Sequence, residues 1–197
     1  MFGGLYLRVF AGIPLPDKAK QSIGIWIDEN RNTFKGLKFV NPELLHITLY
    51  FFGELEQEEV EKLKLSIAAF KGAAVKASLG GISFFPSFKK PNVFYISMEQ
   101  GGGEVSEIYS QFALSIKRIG YISGGKKFIP HITFARRKKR KGDAGKEDWS
   151  FFKSINFNIR DIILDRLVLY QSVLKPEGPE YFPLKEILLE NAAGNEE

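Results

Sequence analysis

Apolar and polar positions along this chain follow two periods, one of two residues and one near 3.6. Runs rich in β-branched and aromatic residues predict strands at residues 5–13, 37–40, 44–52, 73–85, 93–98, 128–136, 155–172 and 181–189. Apolar residues spaced three and four apart predict three helices. Their expected buried faces are Ala19, Ile23, Trp26 and Ile27; Val60, Leu63, Ile67 and Phe70; and Val105, Ile108, Tyr109, Phe112, Ile116 and Ile119.

Boundary residues set the expected limits of these elements. Asp17 is expected to be the N-cap of the first helix. Gly53 is expected to end the strand at 44–52, and the glutamates after it suit the positive N-terminal end of the second helix. Gly120 follows two basic residues and is expected to cap the third helix.

The order of elements is strand, helix, strands, helix, strands, helix, strands, with fewer helices than a doubly wound protein has. This order predicts an α+β fold. We expect residues 1–189 to form a single bilobal catalytic domain, with two lobes facing each other, and residues 190–197 to form a frayed or disordered tail.

Composition narrows the class of protein. Of 197 residues, 44% are hydrophobic and 26% are charged, as in soluble globular domains. No apolar run is long enough to span a membrane, and the first ten residues lack a signal-peptide pattern, so a cytoplasmic location is expected. The chain has no cysteine, which excludes disulfides and thiolate chemistry. A net charge of +5 makes nucleic acid a candidate partner.

The chain has two histidines, and both stand in the tripeptide His-Ile-Thr, within LHITLYF at 45–51 and PHITFAR at 130–136. Side chains alternate across a strand, so His46 shares a face with Thr48, and His131 shares a face with Thr133. Each strand is therefore expected to present one imidazole and one hydroxyl together, while the residues between them anchor the other face in the core.

Two such strands side by side would suit phosphodiester chemistry. One imidazole can accept a proton from a nucleophile and the other can donate one to the leaving oxygen, while the threonine hydroxyls hold phosphate oxygens. One His in a strand is more often structural than catalytic, but two copies that contain every histidine favour a site. The His-x-His-x-His pattern, a metal-ligand cluster and a Gly-x-Ser-x-Gly elbow are all absent from the sequence.

These motifs resemble those of the two-histidine (2H) phosphoesterase superfamily, and within it the RNA 2′,3′-cyclic phosphodiesterase family, also called LigT-like or 2′-5′ RNA ligase. The resemblance is co-linear over most of the chain. It includes RVFAGIPLP, NPELLHITLYFFGEL, LGGISFFPS, PNVFYI, FIPHITFAR and GPEYFPL. The family implies a bilobal α+β fold, two pseudo-twofold-related antiparallel sheets with helices outside and a central cleft, and catalysis without metal or another cofactor.

The resemblance also implies roles for individual residues. His46 resembles the proton donor to the departing O3′, and His131 resembles the proton acceptor that activates water. Thr48 and Thr133 match phosphate-binding positions. Arg136 also matches one, although strand parity turns it away from His131 unless a bulge intervenes.

The chain departs from the family pattern at Tyr50, where relatives often have Lys, and at Asn92, where they often have Arg. Tyr50 shares the parity of His46, so it could stack on a base or simply cover the rim of the cleft.

The implied activity is hydrolysis of an RNA terminal 2′,3′-cyclic phosphate to a 2′-phosphate, with reversible 2′-5′ ligation as a related step. Alternatives are a cyclic phosphodiesterase for a small nucleotide or 2′-5′ oligoadenylate, and a non-catalytic protein that binds RNA ends. The basic run 136–141 is either a solvated loop or a guide for an RNA end. The expected partner is RNA with a cyclic end, tRNA fragments included, and the expected state is a monomer without a membrane contact.

Overall fold

A computed structural model describes residues 6–122, 127–138 and 148–190. Within these ranges the chain forms three α-helices: α1 Asp17–Asn30, α2 Gln57–Ala68 and α3 Gly102–Lys117. The strands are β1 Tyr6–Pro14, β2 Leu37–Phe39, β3 His46–Glu56, β4 Val75–Phe85, β5 Val93–Gln100, β6 His131–Arg137, β7 Asn156–Leu164, β8 Arg166–Leu174 and β9 Pro179–Leu188. Short 3-10 helices occupy Pro42–Leu44 and Ser150–Ser154.

The strands form one antiparallel sheet in the order β7-β4-β5-β6-β3-β1-β8-β9, and β2 adds to β6. The order divides into two halves of four strands, each with a His-Ile-Thr strand innermost. The halves meet where β3 pairs with β6 through Ile47 and Ile132. This arrangement confirms the expected α+β fold with two related lobes.

The helices cover the side of the sheet that carries the aliphatic core. Their buried residues include Ile23, Leu63 and Phe112, which belong to the same core cluster as Ile47 and Ile132. Most residues of the expected helix faces are buried, although Trp26 and Tyr109 are only half-buried. Two expected members lie beyond the helix ends: Phe70 after α2, which is buried, and Ile119 after α3, which is exposed. No helix in the described part of the chain is long and apolar enough to cross a membrane.

Two expected boundaries are wrong. Pro16 is the N-cap of α1, and Asp17 is the first helical residue, with its carboxylate near Lys20. Gly53 does not end β3, because its positive φ of 85° lets the strand form a bulge opposite β1 and continue to Glu56.

Glu190 is the first residue of the segment that is expected to form a tail. The backbone N–H of Glu190 donates to the carbonyl of Gly72 at 2.7 Å, and its own carbonyl accepts from Ala74 at 2.6 Å. These bonds attach Glu190 to the folded domain. Residues 191–197 lie outside the described residues, so the expectation of disorder there stays a prediction.

An aromatic cluster anchors the second half of the sheet. The fully buried ring of Phe152 lies 4.6 Å from Phe34 and 5.1 Å from Phe94, centroid to centroid. We expect Phe152→Ala to lower the free energy of unfolding by about 3–5 kcal/mol, because it removes buried surface and leaves a cavity. Urea denaturation measures this loss. The matched control, Phe182→Ala on the exposed surface of β9, should cost less than about 1 kcal/mol, and equal losses would contradict the packing described.

Candidate active site

The two His-Ile-Thr strands lie side by side with their polar residues on the same face. Ile47 pairs with Ile132 in antiparallel register, which places His46 across from Thr133 and Thr48 across from His131. The isoleucines are fully buried, and the histidines and threonines are half-buried. The expected grouping of two imidazoles and two hydroxyls is therefore present in one cleft.

Hydrogen bonds orient the ring of His46. Its Nδ1 lies 2.6 Å from the carbonyl oxygen of Leu44, which can only accept, so Nδ1 carries a proton. Its Nε2 lies 2.9 Å from Oγ1 of Thr48. When the ring is neutral, Nε2 accepts this bond from the Thr48 hydroxyl. Nε2 is thus the nitrogen that can take up and release a proton on the cleft side.

His131 is oriented in the same way. Its Nδ1 donates to the carbonyl oxygen of Ile129 at 2.7 Å, so Nε2 is again the nitrogen that can exchange a proton with a substrate. Aromatic rings hold both imidazoles. Phe10 lies 4.9 Å from His46, and Phe85 lies 5.0 Å from His131, edge to face. The two lobes therefore build equivalent surroundings for the two rings.

Burial and nearby positive charge disfavour protonation of both rings. Desolvation is the main cause that lowers the pKa of His46 to about 4, and the charges of His131 and Arg136 lower it further, while the bond to Leu44 opposes the shift. Burial also lowers the pKa of His131, with Arg136 contributing. In the absence of an anion, His46 is neutral at neutral pH.

A bulge turns Arg136 toward the cleft. In β6, Thr133 pairs with Tyr95 and Ala135 pairs with Phe94, so Phe134 is passed over and the alternation changes after it. Phe134 and Ala135 are both buried, and Arg136 is exposed and lines the cavity that contains the two histidines. The required bulge is present.

Two cavities open on the sides of the His-Thr row. The first, called the histidine cavity, has a volume of about 420 Å³ and is lined on its outer side by Phe39, Val40, Leu44, Pro179 and Tyr181. The second, called the aromatic cavity, has a volume of about 550 Å³ and is lined on its outer side by Tyr50, Phe85, Tyr109, Lys127, Phe128 and Ile129. His46 lines only the histidine cavity, whereas both cavities share Thr48, Phe51, His131, Thr133 and Arg136.

Tyr50 lies at the edge of the aromatic cavity and is hydrogen-bonded to the chain beside it. Its hydroxyl donates to the carbonyl oxygen of Ile122 at 2.8 Å, and its ring lies 4.7 Å from Phe52. It lines the aromatic cavity. Stacking of Tyr50 on a base stays a prediction. The basic run begins in β6, but its residues 139–141 lie outside the described residues.

Sequence reasoning missed three residues of the site. Tyr181 comes from β9 and lies 5.5 Å from His46, a contact between distant parts of the chain that leaves no local signal. Phe51 has the wrong strand parity, yet it lies at the edge of both cavities. Gly12 interrupts an apolar strand, and that interruption could have indicated a close approach of another group.

Gly12 gives His46 its space. A β-carbon at Gly12 would lie 2.9 Å from the carbonyl oxygen of Ile47 and 3.1 Å from Cδ2 of His46. Backbone and ring would both have to move. The missing side chain in β1 therefore allows β3 to hold the imidazole in place.

Residues 13–95 match the model of the protein family described as LigT like Phosphoesterase. Two similar proteins are both named RNA 2′,3′-cyclic phosphodiesterase. The one from Archaeoglobus fulgidus is 26% identical, covering 91% of this chain and 98% of the relative. The one from Methanocaldococcus jannaschii is 29% identical, covering 91% of this chain and 99% of the relative.

Solved structures have the same fold. A protein from Thermus thermophilus superimposes with a TM-score of 0.75 at 27% identity, over 94% of this chain and all of that one. E. coli LigT complexed with 3′-AMP superimposes with a TM-score of 0.72 at 21% identity, over 94% of this chain and 99% of that one. The chain therefore has the α+β fold of the two-histidine, LigT-like phosphoesterases, with its two His-Thr strands facing each other at the centre of the sheet. In sequence, the chain is similar to the LigT-like phosphoesterases over residues 13–95.

Replacement of Gly12 tests the fit under His46. We expect Gly12→Ala to lower the free energy of unfolding by about 1–3 kcal/mol, because the added methyl group overpacks the β1–β3 contact. The NMR signals of the His46 ring should shift more than those of His131. As a control, Gly103→Ala in α3 meets nothing within 4 Å and should leave stability unchanged or higher. Equal stability of the two variants would contradict the close approach.

The pKa of His46 predicts a pH dependence of stability. Because the pKa is lowered to about 4 in the folded state, the unfolded chain binds an extra proton between about pH 6.5 and pH 4. The stability that neutral His46 contributes is complete above about pH 6.5 and falls by about 3 kcal/mol as the pH falls to about 4.

Urea denaturation across this range, compared with His46→Gln, isolates the effect, since other titrating groups are common to both proteins. We expect the variant to lose less stability on acidification than the wild type. An NMR titration of the His46 ring with a midpoint near 6.5 would contradict the assigned burial.

Proposed function

We propose that this protein hydrolyses the terminal 2′,3′-cyclic phosphate of RNA to a 2′-phosphate. The observation that carries the proposal is the antiparallel placement of His46 and His131, each beside the threonine of its own strand and across from the threonine of the other strand. Relatives that are named RNA 2′,3′-cyclic phosphodiesterase and align over nearly their whole length support the choice of reaction and of RNA as the substrate. The chain is accordingly an enzyme, a phosphoric diester hydrolase.

The proposed reaction needs two proton transfers. Nε2 of His131 accepts a proton from water, the water oxygen attacks phosphorus, the bond from phosphorus to O3′ breaks, and Nε2 of His46 donates a proton to O3′. The products are a 3′-hydroxyl and a 2′-phosphate. The cavities fit this direction, because His46 lines only the histidine cavity, where the departing O3′ would lie, and His131 also reaches the aromatic cavity.

Thr48, Thr133 and Arg136 are assigned to the phosphate. The two hydroxyls lie between the imidazoles and can donate to the non-bridging oxygens as negative charge develops on them. Arg136 adds a positive charge that already acts on both rings. The bond between Thr48 and His46 would have to change when phosphate binds, with the hydroxyl turning from the ring nitrogen to a phosphate oxygen.

The low pKa of His46 bears on its role as the acid. A neutral ring cannot donate a proton from Nε2, so the ring must gain one before the bond to O3′ breaks. A bound cyclic phosphate brings a negative charge next to the ring, which offsets the charge of Arg136 and raises the pKa of His46. The substrate therefore contributes to the protonation of its own acid.

The alternatives differ in what the site must accept. A small cyclic nucleotide or 2′-5′ oligoadenylate would use the same row of histidines and threonines, so substrate length distinguishes them. A protein that only binds RNA ends would not need two imidazoles with their Nε2 atoms on the cleft side. Ligation through a 2′-5′ bond is the reverse step, with a 5′-hydroxyl in place of water. The proposal also includes action in the cytoplasm as a monomer, on RNA ends such as those of tRNA fragments.

Removal of either histidine should abolish most catalysis. We expect His46→Ala and His131→Ala each to lower kcat by about two to four orders of magnitude on end-labelled RNA with a 2′,3′-cyclic phosphate. Circular dichroism confirms the fold, and mapping of the product end checks for the 2′-phosphate. The assay is run in EDTA, where the wild type should keep its rate. Near wild-type turnover by either variant would remove the proposal, and dependence on a divalent ion would replace the acid–base scheme.

A sulfur leaving group tests which histidine is the acid. A 3′-thio substrate needs little protonation to depart, so it should restore turnover of His46→Ala and leave His131→Ala inactive. Initial rates on oxygen and sulfur substrates, compared for both variants, measure the rescue. Rescue of His131→Ala instead would exchange the two roles and leave the overall reaction as proposed.

A further inference from the structure

The two motif strands contain the same irregularity at the same position. In β6 the bulge passes over Phe134, and in β3 Leu49 is passed over between the pairs Gly12–Thr48 and Ala11–Tyr50. Each bulge follows the threonine of its motif and turns the fifth residue after the histidine toward the cleft. In β6 that residue is Arg136, and in β3 it is Phe51.

Phe51 is unusual for a large apolar side chain. It is 65% exposed, although neighbouring residues of β3 such as Ile47 and Leu49 are buried. Its ring rests against the buried ring of Phe10, 5.8 Å away, which in turn contacts His46. The phenyl face is therefore supported from below and open to solvent beside the reacting groups.

A third cavity, called the Arg8 groove, continues from the histidine cavity past Phe51. It has a volume of about 630 Å³, and its lining residues include Arg8, Phe51, Glu54, Arg136, Ser172 and Tyr181. Phe51, Arg136 and Tyr181 also line the histidine cavity. Phe51 and Arg136 thus stand where all three cavities meet.

The charge of this groove suits a phosphate chain. Burial raises the pKa of Tyr181, and the positive charges of Arg136 and Arg8 oppose that rise, so both guanidinium groups lie near its phenol. Glu54 lies across from Arg8 in the β1–β3 pairing, but Arg8 forms no ion pair with any described carboxylate. Arg8 therefore keeps its charge available to an anion.

We propose that the Arg8 groove binds the nucleotide that precedes the cyclic end, with its base stacked on Phe51 and the connecting phosphate near Arg8. This inference rests on the proposed function, because an RNA with a cyclic 3′ end continues only in the 5′ direction. With the terminal nucleoside in the histidine cavity and the attacking water on the side of the aromatic cavity, the Arg8 groove remains for the rest of the chain. Stacking on a phenyl ring tolerates any base, so the subsite selects length and not sequence.

The test compares adenosine 2′,3′-cyclic phosphate with the adenine dinucleotide that ends in the same group. We expect the wild type to show a kcat/KM at least about tenfold higher for the dinucleotide, mainly through KM, because the added contacts form before the reaction. Phe51→Leu should lower the ratio of the two kcat/KM values by about 5- to 100-fold, because it removes the aromatic face. Phe51→Trp keeps an aromatic face and should keep the wild-type ratio. Arg8→Gln should also lower the ratio and flatten its dependence on salt.

Matched controls and an altered substrate separate stacking from damage. Phe182→Leu on β9 and Arg160→Gln on β7 remove an exposed phenyl and an exposed guanidinium away from the three cavities, and they should keep the wild-type ratio. A dinucleotide with an abasic first residue keeps the connecting phosphate and lacks the base. Phe51→Leu should have no further effect on this substrate, whereas Arg8→Gln should still weaken it.

A wild-type ratio near one would overturn the inference and leave the proposed function intact. A loss in Phe51→Leu no larger than in Phe182→Leu, or one that persists with the abasic dinucleotide, would overturn it as well. If neither substrate is hydrolysed, the proposed function fails, and calorimetric binding of the mono- and dinucleotide 2′-phosphates decides the inference. Tighter binding of the dinucleotide that depends on Phe51 supports the subsite, and equal affinities overturn it.

Discussion

The antiparallel pair of Ile47 and Ile132 is the contact on which the site depends. It is the point at which the innermost strands of the two lobes meet, and both side chains are fully buried. Because strand side chains alternate, burial of these two isoleucines forces the flanking histidines and threonines onto the opposite face. The antiparallel register then sets each imidazole across from the other strand's hydroxyl. The hydrophobic core thus positions the polar site.

The same arrangement sets the proton chemistry. Each Nδ1 is committed to a backbone carbonyl two residues before its histidine, so each Nε2 remains for exchange. Burial against Phe10 and the charge of Arg136 keep His46 neutral, and that state suits a cleft that awaits an anion. In the proposed reaction, His46 becomes protonated when a negatively charged substrate enters, and substrate binding is thereby linked to protonation of the acid.

The bulges after the two threonines allow each motif strand to present three side chains to the cleft: its histidine, its threonine and the fifth residue after the histidine. A regular strand would turn the fifth residue after the histidine away from the cleft. With the bulge, β6 presents the cation Arg136 and β3 presents the phenyl ring of Phe51. The pseudo-symmetric lobes are therefore equivalent in their histidines and threonines and different in the group that lies beside them, as suits a substrate whose two sides differ.

The local sequence pattern was sufficient to predict the strands, the three helices, the shared face of each His-Thr pair and the resemblance to the family. Alternation, helical spacing and the repeated tripeptide are all properties of neighbouring residues. For Arg136, the sequence predicted only that a bulge would be required to turn its side chain toward the cleft. The continuation of β3 through Gly53, the inward turn of Phe51, the space above Gly12 and the contact of Tyr181 with His46 were decided by tertiary structure. Each of these depends on which strand lies alongside and in which register, and pairing between distant segments carries no local signal in the sequence.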